Sequence, residues 1–289
     1  ARIFGIVPFS VSEVGLYLLL LLCIFSVVKW FKTPLYLLNG AFFTASLLFF
    51  LFTINCGINY YRNSFSYEAG FVIRTHSTDE LYALCSDLVN KVNENIPTET
   101  SPSPSDAGNF SYFQNFSYLR EMGKGGQKAM KGLADEYPQF KSWYPYPKPL
   151  IHPRLLSVQQ LTGIYSPFTI EANYNSEIPD YNIPHTICHE LSHLRGFMRE
   201  DEANFIGILA CTESDDAYFR YSGYLMAWVH AGNALAKADV ESFYELHSQL
   251  CGQAVQDLQE NNKYWDQYEG KVAEVSNQVN DTYLKLNDQ

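Results

Sequence analysis

A mainly helical domain with a small β-sheet, an α+β arrangement preceded by a transmembrane helical hairpin, is the fold class the sequence predicts. Three observations predict it. Two long uncharged apolar runs open the chain, helical periodicity dominates from Ser77 onward, and a single stretch rich in β-formers, residues 163–174, interrupts it. A composition of 47% hydrophobic and 16% aromatic residues is that of a folded chain and excludes a disordered one.

Residues 14–28 carry no charged side chain, and a second uncharged run extends over residues 33–61. Each is long enough to cross a bilayer, which predicts spans at about 14–30 and 35–56 within a membrane region of residues 1–61. A cleaved signal peptide does not fit, because the second run follows too closely and is too long. Lys29-Trp30-Phe31-Lys32 between the runs is a basic and aromatic turn suited to a membrane surface. Its two lysines favour a cytoplasmic turn, which places the domain of residues 62–289 outside the cytoplasm. That domain holds 17 basic against 30 acidic side chains, so nucleic acid is excluded as a natural partner. The chain opens on Ala1 rather than Met and stops soon after Tyr283-Leu284-Lys285, so a piece truncated at both ends is expected and the span count is a lower limit.

Ser77 or Thr78 can cap a helix running to about Asn95, with Leu81, Leu84, Cys85, Leu88, Val89 and Val92 on one face. Residues 97–108, rich in Pro, Ser and Thr, form a polar loop. Gly123, Gly125 and Gly126 lack phosphate-loop spacing. Over residues 163–174, Phe168, Ile170, Ala172 and Tyr174 alternate with Thr169, Glu171 and Asn173, and Pro167 marks an edge strand. Such a strand can receive an extended peptide by strand addition, with Thr169, Glu171 and Asn173 as the substrate-binding candidates. Residues 214–235 read as a helix, and residues 240–289 as helical and polar with Leu246, Leu250, Val255, Leu258, Trp265, Val272, Val275 and Val279 as a core stripe. The six cysteines form no C-x-x-C pair, and a small buried thiol is the default for each.

Chemistry concentrates at His189-Glu190-Leu191-Ser192-His193. Two histidines four apart on a helix can reach one metal ion, and the carboxylate beside them can act as general base on a water molecule. Chance would produce this pattern only about once in a hundred chains of this composition. Asn182 and Pro184 start the helix and Gly196 ends it. Zn²⁺ is the expected cofactor, with His189 and His193 as ligands and Glu190 as base. Glu200 is the expected third ligand and Glu202 the alternative, since about 200° of helix separates them and both cannot face the metal. Asn204, one turn beyond Glu200, can hydrogen-bond a ligand histidine and fix its ring. Tyr221 and His230 are the candidate donors to a developing oxyanion.

At Pro8-Phe9-Ser10, the hairpin, residues 163–173, residues 189–204, Tyr221-Ser222-Gly223 and Tyr283-Leu284-Lys285, the chain resembles a family of bacterial membrane proteins of unknown function (domain of unknown function 3810) regarded as zinc metallopeptidases. The site also resembles the gluzincin peptidases, where H-E-x-x-H is completed by a Glu on a following helix in the form E-x-x-A-N, here Glu200 to Asn204. The resemblance implies a zincin-like fold, peptide hydrolysis and a multi-pass protein of the bacterial cytoplasmic membrane. A related zincin class with a third His is excluded, because that ligand would fall on Arg199, which cannot bind zinc.

Two functions follow as expectations. One is a membrane-anchored zinc endopeptidase acting on peptide or protein. The other is a membrane-anchored binding or assembly module that keeps a metal only for stability. Glu190 favours the first, since a structural site has no use for a base. The orientation is tested by a reporter cysteine placed in the loop of residues 97–108: an impermeant thiol reagent applied to intact cells labels it, and protection would contradict the assignment.

Overall fold

A computed structural model describes residues 4–97 and 116–287, so the polar loop expected at residues 97–108 lies, after Pro97, outside the described residues. Ser10 caps α1 (Val11–Trp30), its hydroxyl accepting from the Glu13 N–H, and Pro34 opens α2 (Pro34–Asn55), where its missing N–H leaves no bond unmade. At 20 and 22 residues, these helices are about 30 and 33 Å long. Both are long and apolar enough to cross a membrane, and only 6% and 0% of their most apolar windows are buried, which distinguishes them from the core helices of a soluble domain.

The hairpin is tied to the domain by carboxylates exchanged in both directions. Glu13, in the first turn of α1, accepts from the backbone N–H groups of Ile151 (2.7 Å) and His152 (2.9 Å). Glu171, in the sheet, accepts from the N–H groups of Val11 (3.3 Å) and Ser12 (2.8 Å) at the start of α1 and pairs with the buried ammonium of Lys148. The carboxylate therefore lies where the α1 dipole is positive. At the far end of the hairpin, Asn55 donates to the Pro167 carbonyl (2.8 Å) and accepts at its own carbonyl from the Tyr165 hydroxyl (3.1 Å).

Beyond the short α3 (Phe65–Glu68), α4 (Thr78–Glu94) is capped by Ser77, one of the two caps its sequence allows, and Glu80 completes a reciprocal capping box with it. Then come α5 (Phe116–Gly132), β1 (Lys148–Pro149), α6 (Arg154–Ser157), β2 (Gly163–Ser166) and β3 (Glu171–Tyr174). The sheet order is β1-β3-β2, with β1 parallel to β3 and β2 antiparallel to it, Tyr165 opposite Ala172. Residues 163–174 are thus a hairpin rather than one strand. Pro167 and the left-handed Ile170 (φ 54°) lie in its turn, and β2, like β1, is an edge strand while β3 is central.

The domain continues with α7 (Asn182–Leu194), α8 (Glu200–Thr212), α9 (Ala217–Ala238), α10 (Val240–His247), α11 (Gly252–Asp266) and α12 (Lys271–Leu286). One core joins Ala172 and Tyr174 of the sheet to Ile183, Ile187 and Leu191 of α7 and Ile206 of α8. A second packs α4 against α9 around Trp228. The C-terminal stripe is corrected: Leu246 and Leu250 are buried, but Val272, Val275 and Val279 are 58–64% exposed, because α12 rests on the domain through Ala273, Ser276 and Tyr283 instead. All six cysteines are free.

The exchanged carboxylates give a stability prediction. Glu171→Ala leaves Lys148 charged and buried without its partner, and removing one member of a buried pair costs about 3–5 kcal/mol. The thermal unfolding midpoint of the detergent-solubilised protein should fall accordingly, and an unchanged midpoint would refute the role given to this contact.

Candidate metal centre

The site is made by the end of α7, the turn after it and the start of α8. Gly196, at φ +88°, lets the chain reverse: its N–H reaches the His193 carbonyl (2.8 Å) and the Phe197 N–H reaches that of Ser192 (3.2 Å), a Schellman end that needs a left-handed residue. Arg62 secures the turn, donating to the Arg195 carbonyl (2.9 Å) and lying 3.9 Å over the Phe197 ring. The reversal aims the Phe197 carbonyl at His193, where it accepts from Nδ1 at 2.8 Å. It also brings Glu200, the first residue of α8, back over the histidines.

His193 Nδ1 donates to a carbonyl, and His189 Nδ1 lies 3.0 Å from Asn204 Oδ1, so both rings turn Nε2 inward. The two Nε2 atoms are 3.0 Å apart, and the Glu200 carboxylate oxygens lie 3.2 Å from His189 Nε2 and 3.5 Å from His193 Nε2. Burial pushes the His193 pKa down to about 4, so its Nε2 presents a lone pair. Burial opposes ionisation of Glu200, but the hydrogen bond from His189 and the charge of that ring outweigh it and hold its carboxyl at about 2. Electron pairs from three residues therefore meet at one point, which is favourable only with a proton or a cation among them. His189, His193 and Glu200 could hold a metal ion, their ligand atoms all lying within 4.8 Å of one another.

Glu190 stands beside this cluster. Burial pushes its pKa up to about 8, against the pull of His189, and its Oε2 is buried with no hydrogen-bond partner among the described residues. Gly163 at the start of β2 permits this closeness: a Cβ there would stand 2.5 Å from Glu190 Oε1. All four side chains line a cavity of about 530 Å³. His230 also lines it, and burial lowers its pKa.

Other sequence-predicted residues lie elsewhere. Tyr221 does not line the cavity, since its hydroxyl is held 2.5 Å from the Asp257 carboxylate within the α4–α9 core. Glu202, the alternative ligand, accepts from the Phe65 N–H (2.8 Å) and anchors α3. Glu171 and Asn173 project from the sheet toward α1, Asn173 reaching Ser12 Oγ at 3.3 Å, and Thr169 bonds Ser166 (3.1 Å) in the hairpin turn. None of the three lines the cavity.

Sequence reasoning missed His185, which extends the α7 histidines to a third position four residues earlier and bonds the Asn204 carbonyl (3.2 Å). The i−4 spacing was the available signal. It also gave no role to Tyr165 or to Tyr283, which accepts from the Tyr60 hydroxyl at 2.7 Å, and both line the cavity.

In comparison with known proteins, the profile of a family described as "Protein of unknown function (DUF3810)" matches residues 1–289. No curated protein and no solved structure matches the chain.

Because Glu200 faces the histidines while Glu202 holds α3, Glu200→Ala should weaken metal affinity by about 100-fold or more, beyond the roughly 10- to 100-fold that loss of an outer-shell partner costs, and Glu202→Ala should leave it within about three-fold. Chelator competition measures both. A larger loss for Glu202→Ala would overturn the ligand assignment.

Proposed function

The chain belongs to the DUF3810 family, and we propose that it is a membrane-anchored zinc-dependent endopeptidase. The observation that carries this reading is the meeting of His189 Nε2, His193 Nε2 and the Glu200 carboxylate at one point, with the unpartnered Oε2 of Glu190 beside them in a cavity. Two histidines and a glutamate form a donor set used by catalytic zinc, and ligands about 2.1 Å from a tetrahedral ion stand about 3.4 Å apart. The donors here are separated by 3.0, 3.2 and 3.5 Å. Glu200 is 41% exposed, so the cluster opens to the cavity rather than being closed as a structural site is.

Zinc, when bound, supplies a Lewis acid that makes a water molecule acidic and polarises a peptide carbonyl. The protein does the rest. Asn204 and the Phe197 carbonyl hold the two imidazoles in the tautomer that leaves Nε2 free. Glu190, made more basic than an ordinary carboxylate by burial, takes the proton of the attacking water and hands it to the leaving amine nitrogen. One water is consumed, the C–N bond breaks, and a carboxylate and an amine are released. His230 is the candidate donor to the carbonyl oxygen as it gains charge. The lipid bilayer holds the hairpin, with the domain after α2 outside the cytoplasm and a peptide or protein as substrate.

The test is Glu190→Gln. An amide cannot accept the water's proton, so hydrolysis of a peptide library should fall about 10²- to 10⁴-fold while metal content and unfolding midpoint stay as they were. Equal rates for the two proteins would refute the reading.

A further inference from the structure

The cavity belongs as much to the end of the membrane hairpin as to the domain. Phe52 in the last turn of α2, and Cys56 and Tyr60 just after it, line it together with His189, Glu190 and His193. The open-edged strand β2 connects these two sides. At one end, Tyr165 is bonded to the carbonyl of Asn55, the last residue of α2. At the other, Gly163 touches the Glu190 carboxylate. Two residues of strand separate these points, about 7 Å. Since α2 is about 33 Å long and the hydrocarbon core about 30 Å thick, Asn55 lies at the membrane surface.

From this geometry we infer that the substrate is a polypeptide segment immediately next to a membrane anchor, bound as an added strand on β2 and cut within a few residues of the bilayer. The inference rests on the peptidase reading and specifies its substrate class. β2 pairs with β3 on one side only; the Asn175 N–H donates to the Thr162 carbonyl and Ile164 stands opposite Asn173, so Ile164 turns its backbone groups toward β3 while Gly163 and Tyr165 turn theirs to the outer edge, where a second strand can meet them. A segment lying there runs past Glu190 within a few residues of the strand end that Tyr165 ties to the last residue of α2. A substrate already held in the bilayer reaches this edge at high effective concentration, whereas one in solution must approach a strand that begins at the membrane surface.

The experiment uses the full chain in vesicles of phosphatidylethanolamine and phosphatidylglycerol, with three pooled peptide probes of randomised sequence. In the first, the segment directly follows a membrane helix. In the second, a stiff helical spacer of about 30 residues lifts it about 45 Å from the bilayer. The third has no anchor. Binding is read by photo-crosslinking from Ile164→benzoylphenylalanine combined with Glu190→Gln, and cleavage is read separately with the unsubstituted protein. The adjoining segment should be crosslinked and cut about ten-fold or more in excess of the other two. Equal crosslinking of the spaced or unanchored probe, or no crosslinking of any probe together with no preference in cleavage, overturns the inference. Selective crosslinking of the adjoining segment without cleavage keeps the inference about what binds and overturns the peptidase reading alone.

Discussion

The rest of the structure depends on two buried carboxylates that cross between the first apolar helix and the domain that follows it. An ionised carboxylate taken out of water is tolerated only when its oxygens are satisfied. Glu13 receives two backbone N–H groups of the domain, and Glu171 receives two of the helix together with Lys148. Each side supplies what the other lacks, so the first turn of α1 is held against the sheet and the loop after β1. With α1 fixed, α2 is fixed beside it, and Asn55 can hold β2 at the level of Glu190. The position of Glu190 relative to the end of α2 is therefore tied through hydrogen bonds.

Within the domain, the turn at Gly196 sets the relation of α7 to α8. A left-handed residue there shortens the link to a few residues, and one carbonyl exposed by the turn orients His193 while the start of α8 delivers Glu200. Asn204 serves both layers: its side chain faces His189 and its backbone carbonyl takes His185. Ser222 reaches the Tyr181 carbonyl and accepts from the His185 N–H, which ties α9 to the start of α7. The Tyr221-Ser222-Gly223 run thus has its place in helix packing, away from the cavity.

Features written in local spacing were legible in the sequence. The four-residue step from His189 to His193, the helix capped at Ser77 and the two apolar runs each need only neighbours along one element, and the folded chain contains all of them. Glu200 and Asn204 were readable for the same reason. Features that depend on which surface a distant element covers were not. Alternation over residues 168–174 separates two faces, yet it cannot say that α1 covers the polar one, so Glu171 and Asn173 looked like substrate contacts. Ile170 in a left-handed conformation breaks the strand without any glycine or asparagine to announce it. Tyr221 was one tyrosine among 21, and only the approach of Asp257 from α11, 36 residues later, determines where its hydroxyl points. The exposed Val272, Val275 and Val279 show the same limit: a helical stripe marks a face but not its partner.

The bond between Tyr60 and Tyr283 joins residues 223 apart, and both line the cavity that holds His189 and Glu190. One wall of the cavity is thus supplied by α12, which follows β2 and α7 by many tens of residues in the chain. The enclosure around the histidines is therefore a long-range property of the fold: it needs the end of α2 and a far later helix to meet, and no local segment that contains the histidines can form it alone.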